Sequence, residues 1–255
     1  MLIISLQSGS NGNCIYIEAA GRRLLFDAGI SGKQAEQRLA DFGRSIHDVD
    51  ALFISHDHAD HARCLGIYQR KFGIPVHVTK KTLAAAACKI DLGKLDGVDH
   101  FTAGHKIHLD GLTVETIPTP HDGADGVAFV VDDGQSRFGL LTDLGHAFRG
   151  LLEVVQSLDA VLIESNYDPD MLRNGPYPRY LQHRIRSRGG HLSNAEAAQL
   201  LAATNGRLRW ACLGHLSEHN NHPSLALDIH REIIGEDRWP IHVASRYEAT
   251  GILEV

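Results

Sequence analysis

The sequence predicts an α/β protein in which two mixed β-sheets pack face to face with helices outside. Three observations support this. Apolar runs of strand length alternate with stretches of helical period. Asp110-Gly111 and Asp133-Gly134 each separate two short runs and mark hairpins, so antiparallel pairs are mixed with crossovers. Side chains able to bind a metal stand at the ends of several separate runs, and two facing sheets would bring such ends to one edge.

The elements follow in order. Residues 2–6 and 14–18 read as strands joined by Gln7-Ser8-Gly9-Ser10-Asn11-Gly12-Asn13. Gly and Asn supply turns there, and no G-K-[ST] follows to make a phosphate loop. Cys14 reads as a small buried residue. Residues 23–26 form a strand ending in Asp27-Ala28-Gly29, and 33–42 a helix stopped by Gly43. The apolar run 51–54 is a strand, 62–72 a helix stopped by Gly73, and 74–78 a strand in which His77 alternates with apolar neighbours. Thr79 or Thr82 caps a helix through 84–87. The hairpin strands are 106–109 with 112–117 and 127–131 with 137–141. Residues 147–156 are helical and 160–163 extended. Ser193 and Glu196 match a capping box opening a helix to about 204. Strand 208–213 runs into Gly214-His215-Leu216-Ser217. Ser224 is expected to cap a last helix, and 241–244 and 251–255 finish as strands.

The totals narrow the class. A chain of 255 residues without a Pro- or Ser-rich linker or a solenoid repeat is expected to form one domain, 1–255. Its net charge of −6 argues against a protein basic all over, though not against a local basic patch. Met1-Leu2-Ile3-Ile4-Ser5 does not open a signal peptide, and no apolar run is long enough to span a membrane. Cys14, Cys64, Cys88 and Cys212 are scattered, as expected for thiols in a reducing cytoplasm. The unusual total is histidine, at 17.

Position gives those histidines meaning. After the apolar run 51–54 comes Ser55-His56-Asp57-His58-Ala59-Asp60-His61. His56 and His58, two apart on an extended segment, project to one side. Imidazoles and a carboxylate at such spacing suit zinc, and two ligand pairs suggest two ions. His121 and Asp143 likewise follow apolar strands, as does Asp27, which is either a turn residue or a hydrogen-bond partner of a metal-bound imidazole. A second feature is the window from Met171 to Leu192. It holds Arg173, Arg179, Arg184, Arg186 and Arg188, with Tyr177, Tyr180 and His183 interleaved and no Asp or Glu. Arg forks of this kind bind phosphates, and an aromatic ring can stack on a base.

The pattern H-x-H-x-D-H after an apolar strand resembles the signature of the metallo-β-lactamase superfamily, which implies an αββα sandwich for the whole chain. Within it, Ser8 to Asn13, Glu164 to Leu172, Gly189 to Asn194 and Gly214 to Asn221 resemble the WalJ/YycJ group, related to the ribonuclease Z and cyclic-phosphodiesterase branches. Tyr167 stands where that group leads one to expect His. The resemblance implies His56, His58 and His121 as ligands of one metal, Asp60, His61 and His215 as ligands of a second, and Asp143 as the bridge. It places Asp27 and Glu164 behind the ligands and His191 as the group that protonates the leaving oxygen or holds the phosphate. His105, His108, His219, His222 and His242 are left without a ligand role.

The expected cofactors are two divalent ions, Zn or Mn, which together deprotonate a bridging water to a hydroxide nucleophile. Asp60 would orient it or take its proton. The expected activity is phosphodiester hydrolysis as an exonuclease, on DNA rather than RNA, with Arg184, Arg186, Tyr180 and Ser217 as substrate-binding candidates. Two other functions compete. A thioester or lactam hydrolase on the same fold would need neither His191 nor the Arg cluster. A non-catalytic signalling partner would not need a complete ligand set.

Overall fold

The computed structural model describes residues 1–204 and 206–255. The first part of the chain builds strands β1 (Leu2–Gln7), β2 (Cys14–Ala19), β3 (Arg22–Phe26), β4 (Ala51–Phe53), β5 (Val76–Val78) and β6 (Asp99–His100). Its helices are α1 (Gly32–Ala40), α2 (Ala59–Ala62), α3 (Leu65–Phe72) and α4 (Lys80–Lys89). The remainder builds β7 (Lys106–Leu109), β8 (Leu112–Pro118), β9 (Val127–Asp132), β10 (Arg137–Leu141), β11 (Ala160–Glu164), β12 (Trp210–Gly214), β13 (Ile241–Val243) and β14 (Leu253–Glu254). Its helices are α5 (Leu151–Gln156), α6 (Pro169–Asn174), α7 (Arg179–Arg186), α8 (Asn194–Ala202) and α9 (Pro223–Ile234).

Among the described residues each sheet holds seven strands, in the orders β14-β1-β2-β3-β4-β5-β6 and β13-β12-β11-β10-β9-β8-β7. Both are mixed. In the first, β1, β2 and β3 pair antiparallel and β3 to β6 parallel. In the second, β7 to β10 are antiparallel and β10 to β13 parallel. The hairpin turns follow from their residues. Gly111 and Gly134 have φ of 75° and 81°, and the Asp133 carboxylate accepts the N–H groups of Gln135 and Ser136.

Three apolar layers result. Between the sheets, Ile3, Ile17, Phe26 and Phe53 of the first meet Val114, Phe129, Phe138 and Leu162 of the second. The outer face of the first sheet packs on α1 and α3 through Ala35, Leu39, Leu65 and Tyr68. The outer face of the second packs on α5, α8 and α9 through Leu151, Val155, Leu201 and Ala226. This is the expected αββα sandwich.

Several local expectations are corrected. The helix expected over 62–72 is two, α2 and α3, because Cys64 leaves helical geometry between them. The helix expected from 147 starts at Leu151, since Gly150 at φ 91° breaks any earlier turn. Ser224 is not the cap of α9. Pro223 occupies the first turn without an N–H, and the His222 imidazole accepts the N–H of Ser224. The Arg-rich window holds two helices. Asp168 caps α6 by accepting from Asp170 and Met171, and Pro169 pre-sets its first turn. Leu172 and Ile185, buried with Tyr167, anchor α6 and α7, and the partly buried Tyr177 and Leu181 pack against them. No helix among the described residues is long and apolar enough to cross a membrane.

Candidate metal centre

The loops that follow β3, β4, β8, β10, β11 and β12 meet at one edge of the sandwich. Just past the ends of β3, β10 and β12, three residues adopt left-handed backbone without being glycine: Asp27 (φ 64°), Asp143 (φ 56°) and His215 (φ 52°). Such conformations are uncommon for residues with a Cβ and persist where the surroundings over-determine them. Each turns the chain sharply just past a strand end. Glycine is required close by: a Cβ on Gly29 would lie 1.7 Å from the carbonyl oxygen of Asp60. Asn13 N–H reaches that same oxygen at 2.8 Å, so the β1–β2 loop is stitched to the metal loop.

The ligand-type atoms form overlapping sets. His56, His58 and His121 make one, Asp60, His61 and His215 another. The Asp143 carboxylate lies between them. Its Oδ2 is 3.2 Å from His61 Nε2 and 3.0 Å from His215 Nδ1, and its Oδ1 is 3.5 Å from His121 Nε2. Neither Asp143 Oδ2 nor His215 Nδ1 makes a hydrogen bond among the described residues, and both are buried, as is the unpaired Nε2 of His56. Donors bound to one tetrahedral ion at about 2.0–2.1 Å sit about 3.4 Å apart. The spacings and orphaned lone pairs therefore fit a divalent cation.

Residues behind the ligands fix which nitrogen each imidazole presents. Asp27 Oδ2 lies 2.7 Å from His61 Nδ1, and Asp27 Oδ1 accepts the Ser55 N–H at 2.8 Å. The Gly190 carbonyl lies 2.8 Å from His121 Nδ1. Those partners favour protons on Nδ1 and leave both Nε2 atoms as acceptors. His58 instead turns Nδ1 toward His121 and has Nε2 3.3 Å from Asp122. Glu164 is a buried hub. Its Oε1 accepts from Leu144 and Leu192 N–H, and its Oε2 from Asp143 N–H, with His191 Nδ1 at 3.2 Å.

The electrostatics agree with a cationic centre. Burial would raise the Asp143 carboxyl, but His215 and His61 hold it well below the usual range. Asp60 is likewise brought down to about 2, against the effect of burial, chiefly by His61. Burial, reinforced by the His61 charge, pushes His56 well below the ordinary imidazole value, so it is neutral and able to donate a lone pair. At His191 burial is again the largest influence and acts downward, yet Glu164 beside it produces a net rise.

A family model described as a β-lactamase superfamily domain matches residues 22–215. The chain belongs to this superfamily. It is 38% identical over 226 residues to exodeoxyribonuclease WalJ of Streptococcus pneumoniae serotype 2, covering 87% of this chain and 83% of that one. It is 33% identical over 222 residues to exodeoxyribonuclease YycJ of Bacillus anthracis, covering 87% and 84%. Among solved structures, the metallo-β-lactamase fold protein YhfI from Bacillus subtilis superposes over the whole of both chains with a TM-score of 0.76 at 14% identity. Zn²⁺-bound PqqB from Methylobacterium extorquens does so at 0.73 and 19% identity.

In this β-lactamase superfamily member all seven residues expected as ligands converge, and His191 joins them beside His121 and Asp143. A cleft of about 350 Å³ opens over them, lined among others by Ser10, Asp60, Lys89, Arg184, His191 and His215. Of the substrate candidates, Arg184 lines this cleft. Arg186 is exposed and donates to the Gln182 carbonyl, and Tyr180 stands 76% exposed on α7. Ser217 is buried, its hydroxyl accepts from Asn220, and it stands outside the residues that line this cleft. Tyr167 is a packing residue beneath the Arg-rich helices. His105, His108, His219, His222 and His242 stay outside the ligand groups found.

Sequence reading missed Asn13, Ser55, Asp122 and Lys89. Ser55 Oγ sits within hydrogen-bond reach of Asp27, His56 and His61. Asp122 directly follows His121 and touches His58, so its place next to a ligand was the available signal. Lys89, 32 residues beyond Asp57, carried none.

Proposed function

We propose that this metal-dependent hydrolase degrades DNA from an end, using two divalent ions. His56, His58 and His121 would hold one, Asp60, His61 and His215 the other, with Asp143 between them. The observation that carries the reading is the position of the Asp143 carboxylate, within 3.0–3.5 Å of imidazole nitrogens from both sets. The names of the two exodeoxyribonuclease relatives support DNA as the substrate class. Zn²⁺ and Mn²⁺ both suit mixed nitrogen and oxygen donors.

Ions held by these residues would supply a nucleophile at neutral pH and polarise a phosphoryl oxygen. The protein's own groups do the rest. Asp60, ionised and half-buried, is placed to orient the attacking oxygen or receive its proton. His191, with Nδ1 on Glu164, has Nε2 left to hand a proton to the departing oxygen. Arg184 is held on the cleft wall by Asp122 through Nε at 2.6 Å and Nη2 at 2.9 Å, and a guanidinium so oriented suits a backbone phosphate.

The test is elemental analysis of the purified protein followed by a panel of end-labelled DNA and RNA strands with Zn²⁺ or Mn²⁺. The expected result is stepwise shortening of DNA. A chromogenic lactam and a thioester serve as counter-substrates. Turnover of either, with DNA left intact, overturns the reading.

A further inference from the structure

Two fixed cations stand on the wall of the cleft, Arg184 and Lys89. Lys89 ends α4, and Ile90 beside it also lines the cleft. The Lys89 ammonium pairs with Asp57, the residue between His56 and His58. Asp57 is wholly buried and also accepts the Ala124 N–H at 2.6 Å. The Lys89 side chain is 56% exposed. An ammonium has three donors, so a lysine tethered by one carboxylate keeps donors for an anion in the cleft.

Arg184 is mounted in the same way. Its carboxylate, Asp122, directly follows His121 and lies 3.3 Å from His58. Each cation is thus fastened by a carboxylate one residue away from a cluster histidine, on a different stretch of chain. Neutralising Asp57 would not by itself require an exposed lysine, whereas the Lys89 side chain is largely in solvent and lines the cleft. Lysine is a common point-charge partner of phosphate.

We propose that Lys89 binds a backbone phosphate of the substrate strand, as a second anchor separate from Arg184, and that Asp57 is the positioning residue that keeps it on the cleft wall. This rests on the nucleic-acid reading above. Two anchors fastened to the metal loops would set the register of the strand relative to the reacting phosphodiester, and misplacement by an ångström is costly in such reactions.

The experiment uses the full chain loaded with Mn²⁺ and a fluorescein-labelled phosphorothioate oligothymidylate, which resists cleavage. Metal content, affinity and the slope of log K against log salt are measured for wild type, Lys89→Arg, Lys89→Met and the double variant Asp57→Asn with Lys89→Met. Lys89→Met should weaken binding about tenfold, as expected for one charge-assisted hydrogen bond, and make the slope shallower by about 0.7. Lys89→Arg should keep most of the affinity and the slope. In the double variant the side-chain amide that replaces the Asp57 carboxylate can still accept from Ala124, and no buried charge is left unpaired. Full metal content there, with affinity and slope still reduced, supports the proposal. Recovery of wild-type affinity and slope in the double variant overturns it, because Lys89 then served Asp57 alone. Unchanged binding by Lys89→Met also overturns it, while leaving the nuclease reading intact. Wild-type protein that binds no oligonucleotide overturns both.

Discussion

Side chains at the metal centre are held by their neighbours more than by their own conformational preference. Asp27, Asp143 and His215 all sit in left-handed backbone, which costs about 1–3 kcal/mol each and needs the surrounding hydrogen bonds to persist. Asp143 spans both ligand sets, so Asp143→Ala should release metal and abolish hydrolysis, and His58→Ala should do the same. Elemental analysis decides this, and stoichiometric metal in both variants would refute the ligand assignment. His191 touches Glu164 and Asp143 from the cleft side. His191→Ala is expected to retain metal and lose about 10²–10⁴ in turnover of a DNA phosphodiester, the usual contribution of a general acid. The loss should shrink for bis(p-nitrophenyl) phosphate, whose leaving group needs no proton. Equal losses on the two substrates would point to phosphate binding instead.

At the scale of elements, α7 and α9 make contrasting predictions. On α7, Arg184 is engaged with Asp122, whereas Arg186 donates, among the described residues, to the Gln182 carbonyl of its own helix. Replacing both with Ala should weaken binding of single-stranded DNA and flatten its log K against log salt slope by about 1–2. An unchanged slope would make the window ordinary surface. On α9, His230 is fully buried, and burial lowers its pKa from 6.5 to about 4 despite the Ala226 carbonyl. The unfolded chain therefore takes up a proton near pH 6.5 that the folded chain refuses until about pH 4. Protonation favours the unfolded state, so stability is lost as pH falls through this window, by about 2 kcal/mol at pH 5. His230→Leu removes that penalty. Urea unfolding at pH 7 and pH 5 should show a smaller loss for the variant, and equal losses would contradict the assignment.

Over the whole molecule, the centre joins both sheets. Candidate ligands after β4 come from the first, and those after β8, β10 and β12 from the second. Ions bound there would link the two halves and should stabilise the folded state. With free ion about 1,000-fold above Kd, one bound ion would contribute about 4 kcal/mol. A strong chelator should then lower Tm by about 10 °C or more for a chain of this size. A Tm indifferent to chelation would mean that the cluster holds no ion tightly.

Much of this architecture is present in the order of residues. Strand runs, the Asp-Gly turns and the His-x-His-x-Asp-His loop are local patterns with local causes, and they survive in the fold nearly unshifted. Five of the seven ligand candidates follow strand ends, where polar residues terminate apolar runs, and Asp60 and His61 lie in the short helix α2 just beyond β4. Short helices were less legible: α6 and α7 have few apolar positions and gain their stability from Tyr167, Leu172 and Ile185 beneath them. Only the tertiary structure decided that Glu164 would bind four separate groups and that Lys89 would meet Asp57. Those pairings join residues brought together by chain reversal, and the spacing of two residues along a sequence carries no record of their distance once loops from two sheets share an edge.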